Sequence, residues 1–205
     1  MTLIESWRDT WRALGAAAAD EDLFQRLVAC YSEPDRSYHS VQHLAECFEH
    51  LQELRSSADR PAEVALALWF HDAVYDPKAG DNEDRSAEWA RRSALAGGVP
   101  AAAADRIAAL VMVTKHDAVP QSRDARVVVD ADLAILGAEP ARFEEYERQV
   151  REEYAWVPEP LYRRERAKVP AGFLDRAAIY STERFRALRE PRARENIDRS
   201  LARLR

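Results

Sequence analysis

The chain is poor in the residues that punctuate or cross-link a protein. Of its 205 residues only six are glycine, two are cysteine and two are methionine. Scarce glycine, with abundant Ala, Leu, Arg and Glu, favours helix over sheet. Cys30 and Cys47 lie 17 positions apart and form neither a disulfide framework nor a metal-finger spacing. That usage implies a reducing cytosol, and the missing thiolate pattern argues against a structural zinc site. Long apolar runs are missing too. The longest, Val64 to Phe70, is far shorter than the roughly 20 residues needed to cross a bilayer. The opening MTLIESWRDTWRALG lacks the basic start and apolar stretch of a signal peptide. There is no excess of positive charge either. The formal net charge is −6, opposite to the basic surface of a nucleic-acid binder. The expectation is a cytoplasmic protein with no membrane and no nucleic acid among its partners.

What is present is helical periodicity almost throughout, and the length suits one domain over residues 1–205. Trp7, Trp11 and Leu14 recur at helical spacing in a first helix over Leu3 to Ala18. These tryptophans either pack that helix onto the body or support a homodimer. A second helix runs from Asp20 to Tyr31, and a third from His39 or His43 to Leu54. Pro61 opens a fourth at a first-turn position, and this helix carries LALWFHDAVYD. The polar stretch DPKAGDNEDRS is a loop, followed by a helix capped by Asp81 or Asn82. Pro100 begins a helix reaching His116. The segment ARVVVDADLAILG reads as a helix ending at Gly137, because Val128, Ala131 and Ile135 recur at 3–4 spacing. C-terminal helices occupy 140–205, with a break or restart at Pro170 and a last helix ending at Arg205. Such a protein is all-α, with a single-domain helical bundle as its architecture.

Five histidines are available: His39, His43, His50, His71 and His116. His39 and His43 are spaced i, i+4 and share a face if the helix begins that early. His71 and Asp72 close the apolar run Leu68-Trp69-Phe70, which places at least one of them at the core boundary. Asp132 lies between Ala131 and Leu133 in another apolar segment. A buried carboxylate needs a cation or strong donors. Imidazoles and carboxylates on apolar helices share one answer, a divalent ion. Mn, Fe, Co, Ni or Zn suit this donor set better than Mg.

Taken in order, YHSVQHL, WFHDAVYD, DNEDRSA, TKH and DADLAILG resemble the HD-domain superfamily of metal-dependent phosphohydrolases. The likeness is greatest to its small bacterial branch of predicted hydrolases. The matching motifs span about 38–137, and FLDRAAIYSTERF and ARENI extend the likeness toward the C-terminus. The resemblance implies an HD-type all-α fold with one or two metal ions held by His43, His71, Asp72 and Asp132. It leaves His39 as ligand, supporting group or substrate contact. Asp130 is about 200° around the helix from Asp132, so the two do not face one ion. Alarmone hydrolases carry a Glu-Asp pair soon after the HD dipeptide. Here the stretch is AVYDP, which argues against that substrate.

The chemistry expected from this resemblance is hydrolysis of a nucleotide or other small phosphorylated metabolite by a metal-activated water. Asp72 and Glu83 are the candidate catalytic carboxylates, with Asp76 competing as the residue i+4 from Asp72. His116 is a candidate second-metal ligand or proton donor. Lys115 and the cluster Arg163, Arg164, Arg166 and Lys168 are candidate phosphate contacts. Two alternatives remain on the same residues. One is oxygenase-type chemistry at a di-iron site, and the other is a non-catalytic metal-binding helical protein.

Overall fold

The computed structural model describes residues 2–204, and every regular element among them is helical. The apolar segment Pro61–Phe70 explains the arrangement best. It forms α4, and every residue from Glu63 to Phe70 is buried. A helix that is apolar on all sides must be surrounded. The others wrap it: α1 (Leu3–Ala13), α2 (Glu21–Cys30), α3 (Val41–Leu54), α5 (Asn82–Ala96), α6 (Ala101–Met112) and α7 (Arg123–Asp132). Of these, α1, α3, α5, α6 and α7 pack along α4, and α2 reaches it through Phe24. Helices α5 and α6 pack on each other through a short turn. Then α8 (Pro140–Glu153), α9 (Glu159–Leu174) and α10 (Glu183–Leu204) complete one continuous core.

The N-terminal tryptophans belong to this core. Trp7 and Trp11 are buried, and Trp7 meets Trp69 of α4 edge-on at 5.2 Å between ring centroids. Phe24 and Phe48 close on the same Trp69 ring at 5.7 and 4.9 Å. Gly97 makes room for this cluster, because a Cβ there would sit 2.3 Å from the Trp11 ring. Gly97→Ala is therefore expected to cost about 1–3 kcal/mol through overpacking. A urea midpoint equal to wild type would show that Trp11 can move aside.

Several boundaries differ from the sequence expectation. Helix α3 begins at Val41, so His39 lies before it and shares no helix face with His43. Helices α6 and α7 end at Met112 and Asp132, and tighter 3-10 turns carry the chain on to Lys115 and Gly137. Helix α1 stops at Ala13 rather than Ala18, because Gly15 takes φ +83° and turns the chain. Helix α4 ends at Phe70, so His71 and Asp72 sit in the turn beyond it and Asp76 is no helical i+4 neighbour of Asp72. Pro170 lies inside α9, which continues to Leu174. The break falls instead at 175–182. There Glu190 accepts the N–H groups of Ile179 and Tyr180, and Asp130 accepts those of Ser181 and Thr182. Asp130 thus serves the entry to α10, turned away from Asp132. The expected end of the last helix at Arg205 lies outside the described residues. No helix among the described residues is long and apolar enough to cross a membrane.

Candidate metal centre

Three helix ends converge on one point beside α4. His43 is the third residue of α3, and its ring is buried. His71 and Asp72 occupy the turn after α4. Asp132 is the last residue of α7. The turn after α4 is pinned by side chains from the preceding segment. Tyr31 accepts the Asp72 N–H at 3.2 Å and donates its hydroxyl to the Trp69 carbonyl at 3.3 Å. Arg36 donates to the carbonyls of Asp72 and Ala73 at 2.5 and 3.1 Å. These bonds satisfy backbone groups that a helix end leaves open, and they fix where His71 and Asp72 point.

The donor atoms face one another. His43 Nε2 lies 3.1 Å from His71 Nε2, 3.2 Å from Asp132 Oδ1 and 3.5 Å from Asp72 Oδ2. His71 Nε2 lies 3.0 Å from Asp72 Oδ2 and 3.7 Å from Asp132 Oδ1. An ion with ligands at about 2.1 Å sets neighbouring donors about 3.0 Å apart in an octahedron and about 3.4 Å apart in a tetrahedron. Four of the five separations, from 3.0 to 3.5 Å, lie close to those edges, and the fifth, 3.7 Å, is longer. The tautomer agrees: His71 Nδ1 is 2.8 Å from the Leu68 carbonyl, which only accepts. Nδ1 therefore carries hydrogen, and the Nε2 lone pair of the neutral ring faces the other donors. A bare lone pair beside two carboxylates demands a cation.

Electrostatics state the same demand. Burial pushes the Asp72 and Asp132 carboxyls up, yet His71 beside Asp72 and His116 beside Asp132 hold both below the usual carboxylate range. Burial pushes the His43 and His71 imidazoles down. The Cys47 thiol, Tyr38, Asp132 and Asp72 around His43, and Asp72 with Tyr31 around His71, raise them well above the usual range. This is a buried centre poised to hold positive charge, whether protons or a metal ion.

Two participants are absent from the expected set. Cys47 lies one turn after His43, and its Sγ is 3.8 and 3.7 Å from the two His43 ring nitrogens. Donor atoms of His43, Cys47, His71 and Asp132 all lie within 4.8 Å of one another. The thiol is thus part of the centre, correcting the expectation that neither cysteine joins a metal pattern. Its nearly equal distances to both nitrogens put the sulfur beside the ring rather than on the Nε2 lone-pair line. The other is Glu153, at the end of α8. Its buried carboxylate accepts the N–H groups of Tyr38 and His39 at 2.8 and 2.9 Å and His39 Nδ1–H at 2.7 Å. It also accepts the Tyr75 hydroxyl at 2.9 Å. Tyr75 stacks on the His39 ring at 4.1 Å.

The remaining candidates divide. His116 reaches Asp132 Oδ2 with Nε2 at 2.9 Å. Half-buried Glu83 lies in the first turn of α5, and Lys115 pairs with Asp84 at 2.7 Å. Asp76 is exposed and accepts the Lys78 N–H. Arg166 turns inward to the Tyr146 hydroxyl and Glu147 at 2.6 and 3.0 Å. Arg163, Arg164 and Lys168 form an exposed face paired with Glu159 and Glu165. His50 lies by Glu53 and Arg189 on another part of α3. Comparison of the chain with protein-family models, curated proteins and solved structures returned no match.

Proposed function

We propose that the protein is a metal-dependent phosphohydrolase acting on a nucleotide or another small phosphorylated metabolite. The observation that carries the reading is the convergence of His43, His71, Asp72 and Asp132, whose two Nε2 atoms lie 3.0–3.7 Å from each other and from both carboxylates. A divalent ion bound there supplies a Lewis acid for a phosphoryl oxygen and lowers the pKa of water. The residue resemblance to HD-type phosphohydrolases supplies the choice of phosphate chemistry.

The surrounding residues supply the remaining roles. His39 gives Nδ1–H to Glu153 and stacks on Tyr75, which leaves the Nε2 lone pair of the neutral ring to accept a proton from water or substrate. Glu83, in the first turn of α5, is the candidate base toward the attacking water. Lys115 is 27% exposed and its partner Asp84 is 55% exposed, so a phosphate can displace that carboxylate. Arg166 is spent on Tyr146 and Glu147 and is withdrawn from the substrate roles.

The test is a screen of nucleotides and phosphate esters with Mn, Co, Ni, Zn and Mg, identifying the released product. Metal-dependent release of phosphate, pyrophosphate or a nucleoside monophosphate is expected, with loss of turnover in Asp72→Ala. Full turnover in Asp72→Ala, or metal binding without turnover on any phosphate ester, overturns the reading.

A further inference from the structure

We infer that Arg176 and His116 form a brace that fixes the Asp132 carboxylate for the metal ion; this rests on the metal reading above. Both are positioning residues in this proposal, and neither is a ligand.

His116 is the non-glycine residue with positive φ among the described residues, at φ 56° and ψ 19°. A side chain in this left-handed region is unfavourable, so the surrounding structure must hold it there. Its N–H donates to the Val113 carbonyl at 3.2 Å. Arg176 donates from Nη2 to the His116 carbonyl at 2.7 Å. The Arg176 guanidinium lies over the Phe173 ring, 4.7 Å from its centroid, and Phe173 meets the His116 ring edge-on at 6.1 Å. Phe173 at the end of α9 and Arg176 in the turn after it therefore support His116 through ring and backbone.

The outcome of that conformation is the contact with Asp132. His116 Nε2 donates to Oδ2, while Oδ1 of the same carboxylate faces His43 and His71. One oxygen is used to orient the group and the other is left for the ion, the usual division for a carboxylate ligand with a supporting donor. His116 Nδ1 is buried and has no hydrogen-bond partner. The ring is thus held by a single polar contact, and its aim depends on the backbone that Arg176 clamps. The motif TKH is given its role by a residue 60 positions away.

The experiment titrates Zn2+ into chelator-treated full-length protein by calorimetry, with metal-free melting measured alongside. Arg176→Ala is expected to weaken Zn2+ binding about 10-fold, and His116→Ala about 10- to 100-fold. Stoichiometry should stay as in wild type. His116→Gln, which restores an N–H donor, should recover most of the affinity. Gly97→Ala, remote from the centre, controls for lost stability and should bind Zn2+ as wild type does. Wild-type affinity in Arg176→Ala overturns the brace alone. Equal losses in Arg176→Ala and Gly97→Ala also overturn it, as does loss of one of two ions in His116→Gln, which would make His116 a ligand. A wild-type chain that binds no Zn2+ overturns both the brace and the metal reading.

Discussion

Chelator-treated protein should gain roughly 10 °C in melting temperature when a divalent transition ion is added at about 1,000 times its dissociation constant. Binding to the folded state alone at that excess is worth about 4 kcal/mol. For a chain of this size each kcal/mol moves the midpoint by roughly 2–4 °C. The gain must also depend on pH, with a definite sign. In the metal-free fold, the groups around His43 and His71 raise both imidazoles despite their burial. A folded-state pKa above the unfolded value of about 6.5 gives stability that is complete below that value. It is lost as pH rises through the folded pKa. The ion needs the same lone pairs, so it competes with those protons. Raising the pH above about 6.5 should therefore lower the melting temperature of the metal-free protein and enlarge the gain from metal. Thermal scans with and without ion across pH 5 to 9 read both effects. Identical scans at every pH would mean that the donors bind no ion.

How much of this centre is legible in the sequence depends on the range of each interaction. His71, Asp72 and Asp132 are legible because each follows an apolar segment, whereas His43 lies in the first turn of α3. LALWF must be buried, so the His-Asp pair that follows it is brought to the core edge. Val127 to Ala131 do the same for Asp132. Asp130 and Asp132 separate as helical geometry requires, with Asp130 serving Ser181 and Thr182. Cys47 was within reach of the same reasoning, since it follows His43 by one helical turn. A search for cysteine spacing passes over it because its partners are imidazoles. Pro170 shows the limit of local punctuation. Proline weakens a helix interior, yet Tyr162, Pro170 and Phe173 are buried along α9, and packing carries the helix through.

Glu153 was beyond any local reading, because its main partners lie more than 100 positions earlier in the chain. Its removal should have the largest effect of any substitution outside the donor set. The side chain is fully buried and accepts two backbone N–H groups, an imidazole N–H and the Tyr75 hydroxyl. Glu153→Ala strands all four donors, at an expected cost of about 3–5 kcal/mol, or roughly 10 °C in melting temperature. It also releases His39, so any phosphate-ester turnover should fall with it. Glu153→Gln keeps the shape but turns an amide N–H2 toward groups that donate, and should lie between wild type and alanine. Here too the sign can be worked out. Burial raises the Glu153 carboxyl, but bonds from His39 and the Tyr38 backbone prevail and lower it below its ordinary value of 4.5. A depressed carboxylate contributes stability that is present above the unfolded value and is lost as pH falls through the folded one. The melting gap between wild type and Glu153→Gln should therefore be wide at pH 7 and narrow as pH falls below about 4.5. A gap that stays constant down to pH 3 would show that the loss comes from shape alone, with no contribution from the charge on Glu153.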